Sequence, residues 1–146
     1  MSDLNKAVAR RHIDEVWNKG NISTLAETHA ESYVHHDPHD PWKRNQQPGQ
    51  EAVKKLVHFY RGAFPDIRLT IDEIVAEGDV VVARFSSHAT HTNEVGNILP
   101  TDKIVEITGV FWWRFAGGKI VEGRSYYDAL SFLRQLGAVP EVREIL

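Results

Sequence analysis

The stretch LTIDEIVAEGDVVVARFSSHATHT, Leu69 to Thr92, decides the fold. Leu69, Ile71 and the run Ile74-Val75-Ala76 lead into Gly78-Asp79, a turn pair. Val80 to Thr92 is then rich in β-branched residues, so the segment predicts the two strands of a hairpin. The signature recurs downstream. After a Gly- and Pro-bearing loop from Asn93 to Asp102, Lys103 to Phe115 is a β-prone run holding Phe111, Trp112 and Trp113. Gly117-Gly118 turns that run into Lys119 to Tyr127, a second hairpin. Asp128 then opens a short helix through Leu133 and Leu136, closed by Gly137 with Pro140 beyond.

Upstream the apolar period changes from two to that of a helix. Ser2 to Lys19 predicts a helix with Leu4, Val8, Ile13, Val16 and Trp17 as its stripe and Gly20 as terminator. Thr24 and Glu27 have capping-box spacing for a second, short helix. Tyr33 to His36 reads as a brief strand and Pro38 to Pro48 as a loop. From Gly49 to Phe64, Val53, Leu56, Val57, Tyr60 and Phe64 fall on one helical face before Pro65. Helices first and long antiparallel strands afterwards make an α+β fold: a curved antiparallel sheet wrapped around N-terminal helices, enclosing a pocket.

At 146 residues, with no internal repeat or linker, the chain reads as a single domain, 1–146. Seventeen Lys and Arg against twenty Asp and Glu leave a formal charge of −3, and the basic residues are scattered, which argues against nucleic acid or an anionic membrane as partner. There is no cysteine, hence no disulfide framework and no thiolate nucleophile, as suits a cytoplasmic protein. The first residues lack a signal-peptide core, and no run approaches a membrane span, so a soluble protein is expected. No Walker glycine loop, GxGxxG or GxSxG is present, which removes the sequence support for nucleotide, nicotinamide or serine-hydrolase chemistry.

Chemistry concentrates on the second hairpin. Whether its loop counts two or four residues, Phe115 pairs with Ile120, and antiparallel register then sets Trp113 opposite Glu122, Phe111 opposite Arg124, Gly109 opposite Tyr126 and Ile107 opposite Asp128, unless a bulge intervenes. Glu122, Arg124, Tyr126 and Asp128 would then share one face with Phe111 and Trp113, a mixed surface better suited to a ligand pocket than to a dry core. Asp128 also stands where a strand yields to a helix, the place of an N-cap, and Glu122 with Arg124 also fits a solvated ion pair. Both faces of the longest strands are apolar, with Val81, Phe85 and Phe111 against Val82, Val110 and Trp112, so one face is expected to meet a second subunit in a homodimer or larger homo-oligomer.

His29, His35, His36, Asp37, His39 and Asp40 crowd twelve residues. His35 and His39 are four residues apart, but Pro38 between them breaks the helix that would let this spacing converge two imidazoles on one ion, so no metal site is expected. Strand alternation instead turns one of His35 and His36 into the pocket: His36 is assigned the acid–base part and His35 a substrate contact. His88 and His91 face opposite sides of their strand, and His91 is taken as the one that reaches the cavity.

The order EVWNKGN (Glu15 to Asn21), YVHHDP (Tyr33 to Pro38), AFPDIRLTIDEIVAEGDVVVAR (Ala63 to Arg84), THTNEVG (Thr90 to Gly96), GKIVEGRSYYD (Gly118 to Asp128) and RQLG (Arg134 to Gly137) resembles the SnoaL-like polyketide cyclase family over nearly the whole chain. The resemblance implies the cone-shaped α+β barrel of the nuclear-transport-factor-2-like superfamily, with a deep pocket between sheet and helices. It also implies an aspartate that serves as acid–base catalyst for an intramolecular aldol step, without metal or cofactor. The aspartate following GKIVE matches Asp128. Beside it the chain departs from its relatives, many of which resemble E-x-W where Arg124 stands, and no histidine follows His91.

Together these readings give a cofactor-independent enzyme acting on a small carbonyl compound. Asp128, His36 and Tyr126 carry the chemistry, and His35, His91, Phe111, Trp113, Glu122 and Arg124 hold the substrate, with Arg124 fixing an anionic group. A dehydratase, isomerase or epoxide hydrolase on the same fold, or a pocket that merely holds a hydrophobic metabolite, are the alternatives.

Overall fold

In a computed structural model of the protein, residues 1–38 and 47–146 are described. The chain enters through α1 (Ser2–Arg11), whose path continues over His12–Asn18 in wider π-helical turns. That widening buries His12, Ile13, Val16 and Trp17 together, whereas Leu4 of the expected stripe is exposed and Asn5 and Ala9 take its place. Gly20, at φ +72°, ends the segment, and the Arg61 guanidinium donates to the carbonyls of Trp17 and Asn18 at 2.8 and 3.0 Å.

A 3₁₀ turn (Ile22–Thr24) and the single-turn α2 (Leu25–Thr28), where no capping-box bond forms, lead to β1 (His29–His36), longer than the brief strand expected. After β2 (Gln47–Pro48) and α3 (Glu51–Ala63) come the hairpins as read: β3 (Arg68–Glu77) with β4 (Val80–Thr90), then β5 (Ile104–Ala116) with β6 (Lys119–Tyr127). The short helices α4 (Ala129–Gln135) and α5 (Val142–Ile145) close the chain. The sheet runs β2-β1-β6-β5-β4-β3. The α+β class is as expected, with one departure: β1 lies parallel to β6, so the sheet is mixed.

One face of the sheet packs on the helices. Phe85, Phe111 and Trp113 form a stack on it, with successive ring centroids 4.6 and 5.2 Å apart, and Val16, Leu25, Leu56 and Val57 cover the stack from the helical side. Gly109 lies opposite Phe85, and the Phe85 ring fills the space a β-carbon would need. Val81, Ala83 and Phe85 face inward; Val82, Val110 and Trp112 alternate to the outer face.

Exposed ends of the strands are completed by side chains. The Asn18 amide pairs with both main-chain groups of Leu69 on the outer edge of β3, donating at 2.9 Å and accepting at 2.7 Å. Asp66 accepts from the amide and hydroxyl of Thr90, both at 2.7 Å. Beyond the end of β6, Gln135 of α4 pairs in the same two-way manner with Glu106. Three of the polar residues that carry the family resemblance therefore stitch backbone.

The expected register of the second hairpin holds only at its tip. Phe115 pairs with Ile120, but a bulge follows, and Arg114 then pairs with Glu122, Trp113 with Gly123, Trp112 with Arg124, Phe111 with Ser125 and Gly109 with Tyr127. One extra residue in a strand reverses the face of everything beyond it. Gly123, Ser125 and Tyr127 look inward, and Glu122, Arg124 and Tyr126 look out.

Candidate functional site

A pocket opens between the inner face of the sheet and the helices, walled by Trp17, Leu56, Phe64, Phe85, Phe111 and Phe132. Its cavity volume is about 70 Å³, small beside the ~300–1,000 Å³ usual for small-molecule sites, so the pocket is narrow as it stands. Its walls are largely aromatic, and it is called the slit below. Among the described residues, no lysine, arginine or histidine lines it, and its polar groups are Asp37, Ser87, Ser125 and the tyrosines Tyr60, Tyr126 and Tyr127.

Asp37 follows Tyr33 and His35 at alternate positions just past the end of β1, and that parity turns it inward, where it is only 5% exposed. Tyr60 arrives from α3 and Tyr127 from the end of β6, and their hydroxyl oxygens meet at 2.9 Å. Burial raises the Tyr127 pKa above the usual phenol value; the Tyr60 hydrogen bond works against this and the nearby Asp37 charge adds to it. The walls thus offer one buried carboxylate, two linked phenols and two serine hydroxyls in an aromatic slit.

Of the residues singled out in the sequence, Phe111 lines this pocket and Trp113 is buried behind it, in the wall of a small adjoining cavity with His12, His35 and Ser125. Tyr126 borders the pocket, but it is 46% exposed and its side chain alternates outward. Glu122 and Arg124 stand on the outer face as an ion pair at 3.4 Å, and the Arg124 and Arg114 guanidinium groups lie 5.6 and 5.1 Å from the centre of the Trp112 ring. The arginine expected to hold an anionic group is therefore absent from the walls of the main pocket, although it borders the small adjoining cavity. His36 is also outside, bound to Glu122 at 2.9 Å, while His35 is the inward member of the pair and bonds the Tyr33 hydroxyl at 2.8 Å.

Asp128 has one more residue of separation than the inward Tyr127 and so lands on the outer face, exposed. Its carboxylate accepts from the Ser131 amide at 3.0 Å, capping α4, and it borders a surface groove with Thr70, Ser86, His88 and Thr108. The expected water-poor setting for Asp128 is corrected by the same bulge. His91 is fully buried outside the pocket: its Nδ1 lies 3.2 Å from the Thr101 amide nitrogen, and its ring packs on Phe64.

His12 and His29 sit in the core with ring centroids 4.7 Å apart, and burial lowers their pKa values to about 3 and about 2. Among the described residues, no group of three or more histidine, aspartate or glutamate side chains is placed to hold a metal; His39 and Asp40 lie outside the described residues. Nor is any described helix long and apolar enough to cross a membrane.

Sequence reading missed Asp37, Tyr60 and Tyr127 as site residues. Asp37 carried a signal, its parity with Tyr33 and His35 ahead of Pro38, and Tyr60 was a polar tip on an otherwise apolar helical stripe. Tyr127 carried none, because its direction depends on the bulge.

No curated protein matches the sequence. Among solved structures, AclR of Streptomyces galilaeus, a candidate hydroxylase, is 28% identical and superposes with a TM-score of 0.83 over 96% of this chain and 100% of its own. IdmH of Streptomyces antibioticus, a candidate polyketide cyclase, is 29% identical with a TM-score of 0.79 over 91% and 98% of the two chains. A candidate SnoaL-like polyketide cyclase from Jannaschia sp. CCS1, 20% identical, shares the fold with a TM-score of 0.84 over 95% of each chain. The sequence matches the model of the SnoaL-like polyketide cyclases over residues 7–136, nearly its full length, and the chain therefore belongs to that family.

Proposed function

We propose that the protein is a cofactor-independent acid–base enzyme that closes a ring in a small carbonyl compound by an intramolecular aldol-type step. The observation that carries this reading is Asp37, a carboxylate 5% exposed in the wall of an aromatic slit. There it removes a proton α to a carbonyl and returns it to the aldol oxygen, a role that displaces Asp128 from the chemistry and leaves it as a cap. The family and the similarity to IdmH support ring closure as the reaction. AclR, described as a candidate hydroxylase, is a reminder that one fold serves several reactions.

The test begins with a thermal-stabilisation screen of phenolic polyketides, their ester intermediates and steroid-like ketones, since a ligand at 100-fold its dissociation constant adds ~2.7 kcal/mol. With a substrate in hand, Asp37→Asn is expected to keep binding and lose turnover by ~10²–10⁴, while Asp128→Asn, which caps about as well, stays near wild type. An Asp37→Asn enzyme retaining more than about a tenth of wild-type turnover rules the assignment out on that scale.

The outer face of the sheet is proposed as a homodimer surface. Val75 and Tyr126 are exposed on it beside Val82, Val110 and the arginine-flanked Trp112, an apolar patch with charges at hand for a second copy of the chain.

A further inference from the structure

We propose that the Tyr60–Tyr127 hydroxyl pair stabilises the enolate oxygen formed when Asp37 takes the α proton. The assignment rests on the acid–base reading of Asp37. In that step the C–H bond breaks, its proton passes to the Asp37 carboxylate, and its electron pair becomes the new C=C bond as negative charge collects on the former carbonyl oxygen. On ring closure the enolate carbon bonds to the second carbonyl carbon, whose oxygen becomes an alkoxide and recovers the proton from Asp37. Charge thus appears on an oxygen in a slit where, among the described residues, no cationic side chain lines the wall. A phenol donor is what the wall offers instead.

Three observations converge on the pair. The oxygens are 2.9 Å apart across 67 residues of sequence, so the contact is built by the fold rather than by local structure. Only one of the two hydroxyl protons can lie between the two oxygens, and the accepting phenol, its oxygen polarised by the bond it receives, is the better donor to a third atom. The rings are held edge to face: Phe59 packs on Tyr60 at 5.1 Å, Phe132 on Tyr127 at 5.9 Å, and the tyrosines meet each other at 6.2 Å. Such fixed donors need no reorganisation as charge develops, which is where hydrogen bonds are worth most. Burial keeps Tyr127 protonated, and so a donor, across the working range.

The test uses 4-nitrophenolate, whose anion has its own visible absorption, and uncharged 4-nitroanisole, on wild type, Asp37→Asn, and Asp37→Asn combined with Tyr60→Phe or Tyr127→Phe. Asparagine removes the charge that repels a bound anion, so Asp37→Asn is expected to bind the phenolate more tightly than wild type. Each added phenylalanine is expected to weaken phenolate binding about tenfold, as for loss of a hydrogen bond to a charge, and to leave nitroanisole binding within about twofold. Equal phenolate affinity with and without the tyrosine hydroxyls overturns the proposal, as does equal loss of both probes, which marks a structural role. If the tyrosines matter but Asp37→Asn changes nothing, the pair stands and the reading of Asp37 fails. Failure of every variant to bind either probe overturns both.

Discussion

The Gln135 side-chain amide pairs with both main-chain groups of Glu106, accepting from its N–H at 2.9 Å and donating to its carbonyl at 2.8 Å. Since β6 ends opposite Gly109, the β5 backbone at Glu106 has no strand on that side, and one side chain continues the ladder. Gln135→Ala is expected to cost ~1–2 kcal/mol, the net worth of two hydrogen bonds near the surface, and Gln135→Glu to cost as much by losing the donor. Urea unfolding checks this; a loss under ~0.3 kcal/mol means that water serves the edge equally well.

Gly123 leaves room for the Tyr33 hydroxyl, which a β-carbon there would strike. Gly123→Ala is expected to destabilise by ~1–3 kcal/mol through overpacking. Combined with Tyr33→Phe, which removes the obstructing oxygen, the two losses should fall short of additivity by more than ~0.5 kcal/mol. Strict additivity in the double-mutant cycle contradicts the contact.

His12 and His29, neutral when folded with pKa values of about 3 and about 2, regain an ordinary value near 6.5 on unfolding. The unfolded chain therefore binds more protons below pH ~6.5, so their contribution is complete above that pH and is lost as pH falls toward the folded values. At pH 5 the loss is about 2 kcal/mol for each. Stability measured by denaturant between pH 7 and 5 should fall accordingly, and His12→Leu should remove about half of the slope; an unchanged slope sinks the account.

Trp112 has two guanidinium groups at 5.1 and 5.6 Å from its ring centre on the outer face. Light scattering at micromolar concentration is expected to give twice the 16.6 kDa chain mass, and Trp112→Glu to return the protein to monomer with its fold intact. A monomeric wild type ends the dimer proposal.

Local signals in the sequence determined the α+β class, both hairpins, the long helix α3 and the Asp128 cap, because period, turn glycines and caps act between near neighbours. The site was a different matter. Glu122, Arg124 and Tyr126 were expected inside and stand outside, because one bulged residue, which composition does not announce, reverses the parity of β6 and brings Ser125 and Tyr127 inward. Asp37, Tyr60 and Tyr127 come from the end of β1, from α3 and from β6, and only the closing of the sheet over the helices sets them around one slit. Register and the packing of distant elements are decided by the burial of whole faces at once, which is why the chemistry of the pocket belonged to the tertiary structure.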